Sequence, residues 1–270
     1  MDMALSPRGK WVLRAFFVAL AAFLYVPILL LLVFSFNDAL IPSFPLEGFT
    51  LRWYGDFIHD GELIGTLETS AIVAAVSAAA AVLLGLLSSV ALVRRRFRGK
   101  GVVTALLLSP LVIPYVVFGV ALLILFHTIG IPRTILTVMI GHIVISLPYT
   151  ILVLVPRLTQ IDVSLEEASM DLGAGRVRTY WSVVLPLIVP ALVSAFVIAF
   201  ATSFDEYAVA SFVIGTRATF PIYLYGALRF PARLPEVIAV AVVVMLASLV
   251  VVVGAEVGRR VAERRVTLER

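Results

Sequence analysis

The chain has 270 residues, of which 61% are hydrophobic and only 14% charged, with a formal net charge of +4. A soluble domain of this length would hold about 25% charged residues, so a mean hydropathy of +1.09 marks an integral membrane protein. The absence of cysteine excludes disulfides, thiolate metal sites and Cys nucleophiles, and His59, His127 and His142 share no metal-ligand spacing.

Six apolar runs are long enough to cross about 30 Å of hydrocarbon: roughly 11–36, 65–93, 102–127, 134–155, 183–204 and 236–258. The first follows Arg8 and Lys10 as a signal peptide would. It is too long for one, and Phe34-Ser35-Phe36-Asn37 offers no small-residue cleavage site, so it reads as a retained span. Sixteen of the 21 Lys and Arg fall on one side of the alternating connections. They include Arg94–Lys100, Arg157, Arg176, Arg178 and the group Arg259, Arg260, Arg264, Arg265 and Arg270. The positive-inside rule then predicts both termini in the cytoplasm and one multi-pass domain over 1–270. Basic residues at span ends are topology signals, and no nucleic-acid partner is expected; lipid is.

The first outer loop, 37–64, carries Asp38, Glu47, Asp56, Asp60 and Glu62. Trp53, Tyr54 and Phe57 there suit the wet interface. The second span is rich in Ala, Ser and Gly between Ala71 and Gly85, which permits close helix packing without a hydrophobic driving force. Pro27, Pro110, Pro114, Pro148, Pro186 and Pro190 favour kinks in the spans.

Residues 162–182 form the polar segment between spans four and five. Ser164 with Glu167 fits a capping box, predicting a helix from Leu165 to about Leu172. Leu165, Ala168, Ser169 and Leu172 share one narrow face of it, a face that lets a partner approach closely. Gly173 is placed to end the helix in the left-handed conformation. Leu185-Pro186 then opens span five, with proline in its tolerated first turn. Four acids, Asp162, Glu166, Glu167 and Asp171, argue against a helix lying on anionic lipid.

Asp205 and Glu206 interrupt an apolar stretch that otherwise runs from Val183 to Ile214. Ionisable residues there mark a functional site by default. Asp205 lies roughly 28 Å beyond Pro186 along an unbroken helix, near the far hydrocarbon boundary, so the alternative reading of the pair is the wet end of the span. Phe204 and Tyr207 beside two carboxylates would suit an organic ammonium, through charge pairing and cation–π attraction. His142 and Ser146 share a face of span four, with Tyr149 on a neighbouring stripe, and these three are further candidates for a solute path.

The segment Glu167-Ala168-Ser169, three residues, Gly173, nine residues, Val183-Val184-Leu185-Pro186 resembles the EAA motif of permease subunits in binding-protein-dependent ABC importers. Ser169 stands for the family's second Ala and Val183 for its Ile. Ser35-Phe36-Asn37-Asp38, Gly48–Tyr54 and Ser203-Phe204-Asp205-Glu206-Tyr207 look like the spermidine/putrescine branch. The resemblance implies an all-α type I importer permease fold with six transmembrane helices in a bacterial inner membrane. It implies a coupling role toward an ATPase for Glu166, Glu167, Ala168, Ser169, Asp171, Leu172, Gly173, Leu185 and Pro186, and a solute path through span five. It also implies two cytoplasmic ATPase subunits that bind ATP and Mg, a second permease subunit (a heterodimer or a homodimer) and an external solute-binding protein. No Gly-x-x-x-x-Gly-Lys-Ser/Thr occurs, so the chain is expected to hold no nucleotide and to be no enzyme. Rival expectations are a permease for an aminophosphonate, an opine, thiamine or iron, and an ion-coupled secondary transporter with broken inverted repeats.

Overall fold

The structure, a computed structural model, describes residues 7–268. Of the expected cytoplasmic basic group, Arg270 lies outside the described residues, and Arg259, Arg260, Arg264 and Arg265 are described in backbone only. In chain order the helices are α1 (Pro7–Phe34), α2 (Arg52–His59), α3 (Gly61–Arg94), α4 (Lys100–Leu108), α5 (Tyr115–Thr128) and α6 (Ile135–Thr159). There follow α7 (Val163–Asp171), α8 (Arg176–Thr179), α9 (Leu185–Phe204), α10 (Ala208–Val213), α11 (Phe220–Ala227) and α12 (Leu234–Leu268). Five stretches among the described residues are long and apolar enough to cross a membrane, and the pair α4/α5 makes a sixth if counted as one span.

That pair departs from the expected continuous run 102–127. Lys100–Leu111 and Tyr115–Thr128 meet at 105°. Pro110 sits in a 3₁₀ turn over Ser109–Leu111, and Pro114 stands at the N-cap of α5 in an extended conformation. Two prolines four residues apart withdraw two amide donors, and the chain turns a corner between them. In α6, by contrast, Pro148 and Pro156 are absorbed within one helix.

The chain divides into two compact units, 1–61 with 226–246 and 62–225 with 247–270. In the first, the apolar surface of α1 is exposed throughout. The loop after it is held by its own polar groups: Trp53 Nε1 donates to the Asn37 carbonyl at 2.9 Å, and Tyr54 donates to Ser35 Oγ at 2.6 Å. Asn37 Oδ1 accepts from the Glu47 amide at 3.0 Å. Trp53, expected at the wet interface, is therefore buried, with the Arg52 guanidinium 4.2 Å over its ring.

In the second unit, α3 buries its small residues, Ser70, Ala74, Ser77, Ala78, Ala81 and Gly85, as the composition predicts. Thr150 of α6 donates to the Ala81 carbonyl at 3.1 Å, and Ser77 donates to Met139 O at 3.4 Å. Such cross-helix bonds need a close backbone approach. Val73, Leu122, Phe126, Val138, Ile145, Val209 and Val213 form the core at one end of the unit. At the other end Leu158, Ile161, Val184 and Ile188 pack with Val90 and Val93.

A Cβ added at Gly85 would collide with the Thr150 side chain, lying 2.8 Å from its Cβ. Gly85→Ala is expected to destabilise the chain by about 1–3 kcal/mol, read as a lowered thermal unfolding midpoint in detergent. An unchanged midpoint would show that α3 and α6 are not so closely packed.

Candidate functional site

The polar segment folds as a short helix between α6 and α9, with its cap one step from the expected place. Asp162, not Ser164, is the N-cap: its carboxylate accepts from the Ser164 amide at 3.0 Å, and the helix begins at Val163. Asp is among the strongest caps, and standing two residues earlier it reaches the first orphan amide before Ser164 can serve. That backbone hydrogen bond from Ser164 holds the Asp162 carboxyl below its usual range. A depressed carboxylate keeps its capping contribution at neutral pH and loses it only in strong acid, as pH falls through the folded-state value.

The C-terminus ends as the sequence predicts. Gly173 has φ +87°, its amide donates to Met170 O at 2.9 Å, and the Ala174 amide donates to Ser169 O at 3.1 Å. These paired bonds are a Schellman motif, which needs a residue that accepts the left-handed region without strain.

The helix has two faces, and the division differs from the one expected. Glu166 turns toward its own chain and forms an ion pair with Arg94 at the end of α3, Nη2 to Oε1 2.8 Å. The same guanidinium nitrogen donates to the Ile161 carbonyl at 3.1 Å. Ser169 was expected on the partner-facing side, but its hydroxyl lies 3.1 Å from Thr179 Oγ1, so it faces α8. Glu167, Ala168, Asp171 and Gly173 remain exposed, and Leu172 is 90% exposed, an unusual state for a leucine. Beyond α8 the chain makes a widened π turn over Tyr180–Val184 before Leu185-Pro186. Pro186 has no amide to give and crowds the carbonyl one turn back, and the wider turn accommodates both.

The second candidate cluster lies where α9 ends. Glu206 is 5% exposed, and its two carboxylate oxygens accept from the Val209 and Ala210 amides at 2.7 and 2.9 Å. It therefore caps α10. His142, 1% exposed, sets Nε2 3.3 Å from Glu206 Oε2 and Nδ1 2.7 Å from Ser203 Oγ. These contacts link α6, α9 and α10. A Cβ on Gly119 would come within 3.1 Å of Val209 Cα, so α5 also admits α10 at close range.

Asp205, next to Glu206, is exposed. Phe204 continues a ladder of rings with Phe200 and Phe196, at centroid spacings of 5.9 and 6.2 Å, and meets Phe220 at 6.2 Å. Tyr207 stacks on the exposed Tyr225 at 4.1 Å. Ser146 is buried, its hydroxyl without a hydrogen-bond partner among the described residues, and Tyr149 pairs with Tyr115 of α5 at 3.0 Å. The candidates thus separate into a buried set, His142 with Glu206, and a more accessible set, Asp205 with aromatic rings. Sequence reasoning missed Ser203, Tyr115, Tyr225, Arg94 and Thr179. Ser203 lay inside the quoted string, but a serine in an apolar run carries no signal until its partner is known.

A helical chain of five or six spans, with a short capped helix exposed between two of them, is the architecture of a multi-pass transport subunit. Residues 81–267 match the model of the family described as binding-protein-dependent transport system inner membrane component, and the chain belongs to that family. It is a permease subunit of the ABC-importer kind, and the ATPase is a separate subunit. The chain is 37% identical over 231 residues to the putrescine transport system permease protein PotI of Escherichia coli K12, covering 83% of this chain and 82% of that one. It is 34% identical over 249 residues to the spermidine/putrescine transport system permease protein PotC of the same organism, covering 92% and 94%. Among solved structures it resembles a bacterial ABC transporter involved in alginate import, with a TM-score of 0.71 at 18% identity over 94% of this chain and 98% of the other. It also resembles the inward-facing MetNI methionine ABC transporter, with a TM-score of 0.60 at 20% identity over 74% and 95%.

Glu206→Ala leaves two α10 amides and His142 Nε2 unpaired in the core. It is expected to destabilise the chain by roughly 3–5 kcal/mol, measured by thermal unfolding. A midpoint equal to the parent's would rule out a capping role. Glu166→Ala should speed amide hydrogen exchange in α7, whereas Glu167→Ala should not; equal effects would refute the division of the helix into an inner and an outer face.

Proposed function

We propose that the chain is one of two permease subunits of an ATP-driven importer for polyamines. The observation that carries this reading is the 34–37% identity, over more than four-fifths of the chain, to permeases named for putrescine and spermidine. Both termini lie in the cytoplasm in this reading, on the strength of the basic-residue bias. The outer face of α7, with Glu167, Ala168, Asp171 and Leu172, seats in a groove of one ATPase subunit of a pair that binds ATP and Mg. Leucine so exposed on a capped, rigid helix supports that role, since an apolar anchor at the centre of a contact is what an interface uses. Gly173 ends the helix sharply, and Leu185-Pro186 joins the movement to the head of α9.

The solute, delivered by an external binding protein, crosses a passage shared with the second permease subunit. Asp205, Phe204 and Tyr207 are the residues of this chain placed to meet it. A polyamine carries separated ammonium groups on an aliphatic stem, and an exposed carboxylate beside stacked rings offers charge pairing and cation–π attraction to one of them. Glu206 and His142 serve the passage indirectly, by fixing the α9–α10 corner from which Asp205 and Tyr207 project.

The test is uptake of radiolabelled putrescine and spermidine by the complete importer in proteoliposomes. Glu167→Lys should lower uptake about tenfold or more, one misplaced charge at a fitted contact costing at least about 1.4 kcal/mol, while the binding protein retains its affinity. Asp205→Asn should lower polyamine uptake by roughly an order of magnitude, the scale of one charge-assisted hydrogen bond. Normal uptake in the first variant rejects the coupling role, and normal uptake in the second rejects the acidic passage. A parent complex that carries no polyamine rejects the substrate class.

A further inference from the structure

Behind the lever formed by α7 lies a groove that neither coupling to an ATPase nor solute passage uses. Its cavity of about 240 Å³ opens between the end of α3, the end of α6, α7, α8 and the π turn that follows α8. Arg94, Arg95 and Arg176 line it on the polar side, with Tyr180 and Glu166. Thr179 joins them, and Val90, Leu158, Met170 and Val184 make the apolar wall.

Two features of the lining call for an acceptor. Arg94 Nε and the Tyr180 hydroxyl are both buried polar atoms with no hydrogen-bond partner among the described residues. Buried donors are nearly always satisfied, by protein, water or a ligand. Glu166 is the one acid in the lining, and Arg94 neutralises it at 2.8 Å. Among the described residues Arg95 and Arg176 form no ion pair, so the groove keeps two uncompensated positive charges. Two orphan donors beside two free guanidinium groups fit a phosphate, which presents only acceptors.

Position favours one source of that phosphate. Arg94 is the last residue of one candidate span and Arg176 the first of another, so the groove sits where two spans leave the apolar layer at the same end. Its apolar wall continues into the core at that end, through Val90, Val184 and Leu158. Polar donors above an apolar wall match a lipid headgroup above its glycerol and upper acyl chain. A basic pocket between transmembrane helices at the cytoplasmic boundary is the setting in which anionic headgroups bind.

We propose that this groove binds the phosphate of an anionic phospholipid, held by Arg95 and Arg176 with Tyr180 and Arg94 donating. The bound headgroup bridges α3 and α8 behind the inner face of α7. The two uses of α7 do not compete, because the ATPase takes its other face.

Native mass spectrometry of the full chain, purified in detergent and titrated with dioleoylphosphatidylglycerol or dioleoylphosphatidylcholine, tests the site. The parent should retain phosphatidylglycerol in preference to phosphatidylcholine. The double variant Arg95→Gln/Arg176→Gln should bind phosphatidylglycerol roughly 25-fold more weakly, at about a factor of five for each arginine. Tyr180→Phe, which keeps the ring and removes only the donor, should bind it about five-fold more weakly. The control Arg96→Gln/Arg98→Gln removes two exposed charges outside the groove and should bind as the parent does. Parent-like binding in the first double variant, or an equal loss in the control, overturns the proposal. Displacement of the lipid by millimolar inorganic phosphate would assign the groove to a soluble anion and overturn the lipid as its occupant.

Discussion

The contact on which the polar segment between α6 and α9 depends is the ion pair between Arg94 and Glu166. A helix of nine residues is too short to persist in water by itself. It is held here at three places: Asp162 at its start, the Schellman turn at Gly173, and Arg94 from the end of a span. The first two set its length. The third fixes its direction, because Arg94 also grips the Ile161 carbonyl just before the helix begins. A half-buried ion pair of this kind adds little to global stability, because the cost of taking both charges out of water offsets much of their attraction. Its importance is geometric: in the proposed coupling role, a push on the outer face reaches the spans as a displacement only if the inner face is anchored.

The other end of the same unit uses the same device with different chemistry. Glu206 closes α10 by accepting two of its first amides, and His142 closes on Glu206 from α6. An acid this far from water is tolerated because each oxygen has a partner. The consequence is a fixed corner between α9 and α10, with the Tyr207–Tyr225 stack and Asp205 set on its more accessible side.

The span pattern was legible in the sequence because hydrocarbon permits one solution, a long apolar helix with its backbone bonds satisfied internally. Where proline entered, legibility stopped. Pro148 leaves α6 intact while Pro110 and Pro114 turn the chain by 105°, and the difference lies in spacing and in what packs alongside rather than in residue type. The cap of α7 moved for a related reason: Asp162 and Ser164 both qualify chemically, and the one that precedes the other takes the first amide. The loop at Trp53 shows the opposite failure, in which an aromatic suited to the interface finds a buried carbonyl and leaves the surface.

The two acidic pairs, Glu166-Glu167 and Asp205-Glu206, show where sequence reading stops for the candidate sites. In each pair the residues are neighbours of one chemistry, and in each the structure buries or half-buries one and exposes the other. Consecutive residues within α7 point about 100° apart, so Glu166 and Glu167 divide into an inward and an outward member, while Asp205 and Glu206 divide at the non-helical corner between α9 and α10. The partner decides which is which: Arg94 claims Glu166, and the α10 amides claim Glu206. Those partners stand 72 residues before the first acid and three to four residues after the second, separations that no local pattern encodes together. The same division assigns work. The inward acid shapes the element, and the outward acid, Glu167 or Asp205, is left with its charge available to something outside the chain.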